Sequence, residues 1–150
     1  MKKNRLAPML AFARVNDAAG TIGKITLEGE ILPSEWSLWS DGTANTPQLM
    51  REQLAALGDV ERIQLHINSP GGSVTDGIAI MNALAQHAAP VSVYVDGVAA
   101  SIASVIVMAA DPGEIHMPTN TLLFAHLPWT YTMGNSEELL KDVERLQKME

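Results

Sequence analysis

The sequence predicts an α/β domain built on a mostly parallel sheet, and three observations carry that reading. Stretches that alternate with period two, such as Ile63, Leu65 and Ile67 against Gln64, His66 and Asn68, read as half-buried strands. Between them lie single apolar-striped stretches of helix length, and strand–helix alternation favours parallel pairing through crossover connections. The chain has 150 residues, 47% apolar and 18% charged, which suits one domain with one core.

Residues 1–20 show little periodicity and are expected to form an arm, with the domain over 21–150. The basic start and the apolar stretch from Leu6 to Ala13 have the outline of a secretory leader, but the stretch is at the short limit, contains Pro8 and runs into Arg14, so a leader is not the expected reading. Ile22 to Ile31 alternates well enough for a strand, and Pro33 ends it. Trp36, Trp39 and an Asp41-Gly42 turn fall in the loop beyond. Thr46 is expected to cap a helix with Pro47 at its first position, Leu49, Met50, Gln53, Leu54 and Leu57 on its stripe, and Gly58 at its end.

The strand of Ile63–Ile67 then runs into Ser69-Pro70-Gly71-Gly72. Ser73 with Asp76 looks like a variant capping box for a helix carrying Ile78, Ile80, Met81 and Leu84. Val91–Val95 is the next strand, Asp96-Gly97 is expected to turn the chain, and Ala99–Ala110 reads as an apolar helix buried on all sides. Two short strands follow, near Glu114–Met117 and Thr121–His126. Asn135-Ser136-Glu137-Glu138 caps a last helix whose stripe is Leu139, Leu140, Val143, Leu146 and Met149. That pattern is still running at Glu150, so the natural polypeptide is expected to continue.

Composition excludes several functions. A net charge of −7 argues against wrapping nucleic acid or lying on an anionic membrane. Four of the ten basic residues fall within 1–16, ahead of every acid. The absence of cysteine rules out a disulfide scaffold, a thiolate metal site and a cysteine nucleophile, and it fits a reducing, cytoplasmic setting. No apolar run approaches the ~20 residues of a membrane span. Gly71-Gly72-Ser73 sits where a phosphate loop would sit, but it lacks the Gly-Lys-Ser/Thr ending of a P-loop and the spacing of a dinucleotide site. There is no G-x-S-x-G elbow, and the four histidines offer no metal-ligand spacing, so neither metal nor cofactor is expected.

Two features remain. The Gly71-Gly72 turn has no β-carbons, so its N–H groups can approach a ligand closely; its plain alternative is a tight turn needing unusual φ. Ser101, in Gly97-Val98-Ala99-Ala100-Ser101-Ile102, is placed in the first helical turn, where free N–H groups and the helix dipole favour negative charge. Its plain alternative is a serine capping its own helix, and Ser104 reads as a small packing residue. A serine nucleophile needs a base. His126, ending an apolar strand, is the candidate, against the alternative of a structural histidine. His66, on the polar face of the strand entering the Gly-Gly turn, is its rival. His87 is read as complementing a helix C-terminus and His116 as a surface residue.

In combination these blocks say more. Ile67-Asn68-Ser69-Pro70-Gly71-Gly72-Ser73-Val74, Asp96-Gly97-Val98-Ala99-Ala100-Ser101, and Met117-Pro118-Thr119-Asn120 leading to His126-Leu127-Pro128-Trp129 resemble the proteolytic subunit of the ATP-dependent Clp protease over roughly residues 22–150. The variant Ser101-Ile102-Ala103-Ser104 and the segment around Trp36 look most like phage and prophage relatives. The resemblance implies a spiral of strand–helix units of the Clp peptidase–crotonase type. It implies a serine endopeptidase with Ser101 as nucleophile, His126 as general base, and Gly71 and Ile102 supplying the oxyanion-hole N–H groups. The family's triad acid comes later than Glu150, so this chain is expected to hold two of three triad members and to lack the C-terminal part of the family domain.

The same resemblance implies a homo-oligomeric ring, a single or a double heptamer, that cleaves peptide or protein substrates and works with an AAA+ unfoldase. A phage-type relative would process head proteins. Three alternatives are set against it. One is a signal peptide peptidase A-like Ser–Lys protease, disfavoured because no lysine lies between Lys24 and Lys141. Another is a crotonase-type enzyme, which needs no serine. The third is a non-catalytic structural or regulatory subunit, favoured by the missing acid and disfavoured by the presence of both Ser101 and His126.

Overall fold

A computed structural model describes residues 10–17, 20–35 and 45–149. The expected Trp36, Trp39 and Asp41-Gly42 loop lies outside the described residues. Ten elements follow in chain order: β1 (Leu10–Asp17), β2 (Gly20–Glu28), α1 (Pro47–Leu57), β3 (Arg62–Ser69), α2 (Val74–Ala85), β4 (Val91–Ala100), α3 (Ile102–Ile106), β5 (Ile115–His116), β6 (Leu122–Phe124) and α4 (Ser136–Gln147). They build one sheet in the order β1-β2-β3-β4-β5, with β6 also on β4. Among the described residues only β1 and β2 pair antiparallel and the other strand pairings are parallel, as the strand–helix alternation predicts. The expected arm therefore contains an edge strand, and Arg14 ties it inward by donating to the Leu57 carbonyl at 2.9 Å.

The core lies on one face of this sheet. Ile25 and Leu27 of β2, Ile63, Leu65 and Ile67 of β3, and Val93 and Val95 of β4 are fully buried. They form one cluster with Met50, Leu54 and Leu57 of α1, Ile80 and Leu84 of α2, and Ile102 and Ile106 of α3. The opposite face is polar, as the alternation of β3 requires. There His66, Tyr94 and His116 stack across three neighbouring strands, with ring centroids 5.0 and 4.4 Å apart.

Local signals hold where the signal is local. Thr46 caps α1, accepting from the Leu49 N–H at 3.2 Å, Pro47 opens the helix and Gly58 closes it at φ 60°. Asn135 and Glu138 form the complete capping box of α4. Ser73 precedes α2 but does not cap its backbone: its hydroxyl bonds the Asp76 carboxylate, which Ser34 also reaches. The strand expected to run to Ile31 stops at Glu28, and Ile31 makes separate parallel bridges to Asn45 and Gly72.

The largest departure lies at 96–110. Asp96-Gly97 does not turn the chain. β4 continues to Ala100 because β6 pairs with Val98–Ala100 and claims that backbone. Between the Ile67–Val95 and Ser69–Ala99 pairs β3 has one residue, Asn68, and β4 has three, Asp96 to Val98, so β4 bulges there. Asn68 fills the bulge: its Oδ1 accepts from the Val98 N–H at 3.2 Å and its Nδ2 donates to Glu28 at 2.5 Å. A β-carbon on Gly97 would stand 2.6 Å from that Oδ1, which explains the glycine. Helix α3 consequently begins at Ile102 rather than Ala99 and runs five residues into a 3₁₀ turn over Val107–Ala109.

Candidate active site

The parallel strands all release their chains at one end, and in α/β sheets that carboxyl end is where ligands sit. β3 delivers Ser69-Pro70-Gly71-Gly72 there, β4 delivers Ser101, and β6 delivers His126 two residues after Phe124. These segments line a cleft of about 620 Å³ with Ile31, Pro33, Val74, Pro128, Trp129 and Tyr131 on its walls. The lining mixes these side chains with polar ones, Glu30, Ser73 and Thr130 beside Ser101 and His126, so polar groups converge on a partly apolar cleft as in a substrate site.

Ser101 has φ 54° and ψ −130°, and among the described residues it is the only non-glycine with positive φ. A side chain at such a φ costs about 1–3 kcal/mol unless its surroundings enforce it. They do here. The Ser101 N–H donates to the Phe124 carbonyl at 2.8 Å, and the Ser101 carbonyl accepts the Ser104 N–H at 2.9 Å and the Ser104 hydroxyl at 2.6 Å. The backbone is fixed on both sides and the half-buried hydroxyl is left facing the cleft. The short α3 leaves little macrodipole, so any stabilisation of negative charge here comes from individual N–H groups.

Gly71 packs directly on this serine. An added β-carbon would lie 2.7 Å from the Ala100 carbonyl oxygen, 2.7 Å from Ser101 Cβ and 3.2 Å from the Ile102 nitrogen, and its φ is 97°. Its N–H, expected in the oxyanion hole, donates instead to Ser69 Oγ at 3.1 Å. The Ile31 bridge takes the carbonyl of Gly71 and the N–H of Ser73, so by strand alternation the Gly72 N–H points away from Ile31. Ile102 is buried and begins α3, where its N–H has no intrahelical partner.

His126 is exposed and lies beside Phe124, ring centroids 5.6 Å apart. Its Nδ1 is 2.6 Å from the Leu127 carbonyl oxygen. A carbonyl only accepts, so Nδ1 carries the proton and Nε2 is left as the basic nitrogen. The tautomer a base requires is therefore set by the backbone. Among the described residues no hydrogen bond joins His126 to Ser101, although both line the cleft; catalytic contacts in unliganded enzymes are often longer than in the reacting complex.

The other histidines lie elsewhere. His66 pairs with Asp96 at 2.9 Å on the polar face of the sheet, which explains why neither lines the cleft. The His87 Nδ1 accepts the Ala89 N–H at 3.1 Å rather than donating to the end of α2. His116 stands 3.7 Å from Glu114. The Glu114 carboxyl is held below the ordinary glutamate range, first by the Ser92 hydroxyl at 2.6 Å and then by Arg62 and His116, with partial burial opposing them. Among the described residues no three histidine or acidic side chains gather as a metal site, and no helix is long and apolar enough to cross a membrane.

Asn68, Ser69 and Ser104 hold backbone around the cleft, roles that the sequence blocks containing them do not reveal. Their only trace is polarity at strand and helix positions next to the Gly-Gly turn and Ser101.

The class these features define is a mostly parallel α/β sheet that carries a strained serine and a histidine on one cleft at its carboxyl edge. The Clp protease family model matches residues 37–150, and the chain belongs to that family. It is 32% identical over 96 residues to an ATP-dependent Clp protease proteolytic subunit of Pleurastrum terricola, a match covering 64% of this chain and 49% of the relative. It is also 32% identical over 105 residues to the protein of the same name in Leuconostoc citreum (strain KM20), a match covering 64% of this chain and 52% of that relative. The chain thus spans about half the length of the relatives it matches.

Proposed function

We propose that this chain carries the nucleophile and base of a serine endopeptidase of the Clp type. The Ser101 hydroxyl attacks the peptide carbonyl while His126 Nε2 takes its proton. The tetrahedral oxygen is held by the Ile102 N–H and an N–H of the Gly-Gly turn. His126 then gives the proton to the leaving amine, and water repeats the sequence to free Ser101. Because Ser69 occupies the Gly71 N–H, the Gly72 N–H is the donor in this reading. The observation that carries the proposal is Ser101 held at positive φ in the cleft that His126 also lines.

Family membership supports the coarser reading of a serine peptidase. The finer features belong to the proposal: a ring of identical chains, an unfoldase partner, a cytoplasmic location and, from the variant Ser101–Ser104 block, a phage-type relative that trims head proteins. The exposed stripe of Leu139, Leu140 and Val143 on α4, which buries no residue, is consistent with assembly.

A fluorophosphonate probe tests the chemistry. One adduct, mapped by peptide mass spectrometry to Ser101 and lost in His126→Ala, is the expected result. A folded chain that stays unlabelled, or is labelled on another serine, overturns the reading in favour of a non-catalytic subunit.

A further inference from the structure

We propose that the Ser104 hydroxyl is a positioning group for the oxyanion hole: it fixes the peptide between Ser101 and Ile102 so that the Ile102 N–H faces the cleft. The proposal rests on the reading of Ser101 as nucleophile and adds a residue that reading does not contain.

The argument starts from the peptide plane. In a trans peptide the C=O and N–H point in opposite directions, so fixing one aims the other. The Ser101 carbonyl takes both of its acceptor positions from one residue, the Ser104 N–H at 2.9 Å and the Ser104 Oγ at 2.6 Å. Both donors lie on the helix side, so the Ile102 N–H is sent the other way, toward Gly71, whose added β-carbon would come within 3.2 Å of that nitrogen. Rotating this peptide would aim a carbonyl oxygen at the developing oxyanion, replacing attraction with repulsion.

A serine bonding back to the carbonyl three residues earlier is also a common way to satisfy a buried hydroxyl. Two observations set this one apart. The carbonyl it holds belongs to the one non-glycine at positive φ among the described residues, so this peptide is under conformational load. And the residue is only 7% exposed, so water does not replace the hydroxyl when it is removed. Alanine there would leave the backbone N–H alone to hold the plane.

The test compares Ser104→Ala and Ser104→Thr with the parent chain in three measurements: the rate of Ser101 phosphonylation by a fluorophosphonate, the melting temperature, and a crystal structure of Ser104→Ala. The phosphonyl oxygen needs the same N–H groups as the tetrahedral intermediate. Losing a whole donor costs about 10²–10³ in rate, so loosening one is expected to slow phosphonylation about 10- to 100-fold in Ser104→Ala. Ser104→Thr, which keeps the hydroxyl, should stay close to the parent. A Ser104→Ala variant that labels at the parent rate, whatever its melting temperature, overturns the proposal. So does equal slowing in both variants, which would make packing the cause. If the parent itself does not label, the serine reading fails separately, and the crystal structure decides: a rotated 101–102 peptide in Ser104→Ala supports the positioning role, and an unchanged one overturns it.

Discussion

Replacing Ser101 with alanine is expected to lower peptide hydrolysis by about 10⁴- to 10⁶-fold, the range reached when a triad enzyme loses its nucleophile. At 1.36 kcal/mol per decade this is about 5–8 kcal/mol of barrier. The Leu127 carbonyl supplies the tautomer, whose loss costs about 10⁴ in triad enzymes, but as a neutral acceptor it stabilises the imidazolium less than a carboxylate does. The fold should be unaffected. Among the described residues Ser101 Oγ has no hydrogen-bond partner to leave unsatisfied, and alanine at φ 54° carries the same strain as serine. Steady-state rates on a chromogenic peptide, with melting curves of both proteins, check this; undiminished hydrolysis by the variant would place the chemistry elsewhere.

Gly71→Ala is expected to cost about 10²–10³ in rate, comparable with deleting an oxyanion donor, although Gly71 contributes no side chain and its N–H is already bonded to Ser69. The new β-carbon has no room. It meets the Ala100 carbonyl and Ser101 Cβ at 2.7 Å, both on backbone that β6 holds in place, and φ 97° is itself unfavourable for alanine. The clash is relieved by moving the turn away from Ser101 and Ile102, which widens the oxyanion hole. Strain of this kind costs about 1–3 kcal/mol, so the melting temperature should fall as well. The diagnostic result is a kcat loss much larger than the change in KM, with the chain still folded.

What the sequence made legible depended on how far each determinant lies from its effect. Thr46, Pro47 and Gly58 act within their own helix, as do Asn135 and Glu138, and those ends are where the pattern puts them. The alternation of Ile63, Leu65 and Ile67 dictates which face of β3 is buried whatever its neighbours are. The region after Val95 behaves differently. Asp96-Gly97 has the composition of a turn, and Ala99–Ala110 that of a helix. Their structure is decided by β6, more than twenty residues later in the chain, and by Asn68 in another strand, neither of which leaves a local signature.

The site shows the same division. Ser101 and His126 stand out in the sequence only as part of a combination of blocks, none decisive alone, and both line the cleft. That Ser69 would occupy the Gly71 N–H, or that Ser104 would hold the Ser101 carbonyl, depends on rotamers and backbone angles. Periodicity and spacing do not encode those.

None of residues 111–149 is buried, whereas Leu65, Ile67 and Val95 are wholly so. On the proposed mechanism the nucleophile Ser101 and the Ile102 N–H are attached to the deep part of the molecule and the base His126 to the shallow part. Regions with little burial open locally at a small fraction of the free energy of global unfolding. The two halves of the catalytic pair therefore have different lifetimes: Ser101 keeps its place as long as the domain is folded, while His126 keeps its place only as long as β6 and its surroundings stay docked. Under the proposed mechanism turnover would scale with the fraction of time the outer layer is seated, and any contact that covers β6 or α4 would raise that fraction without touching the serine.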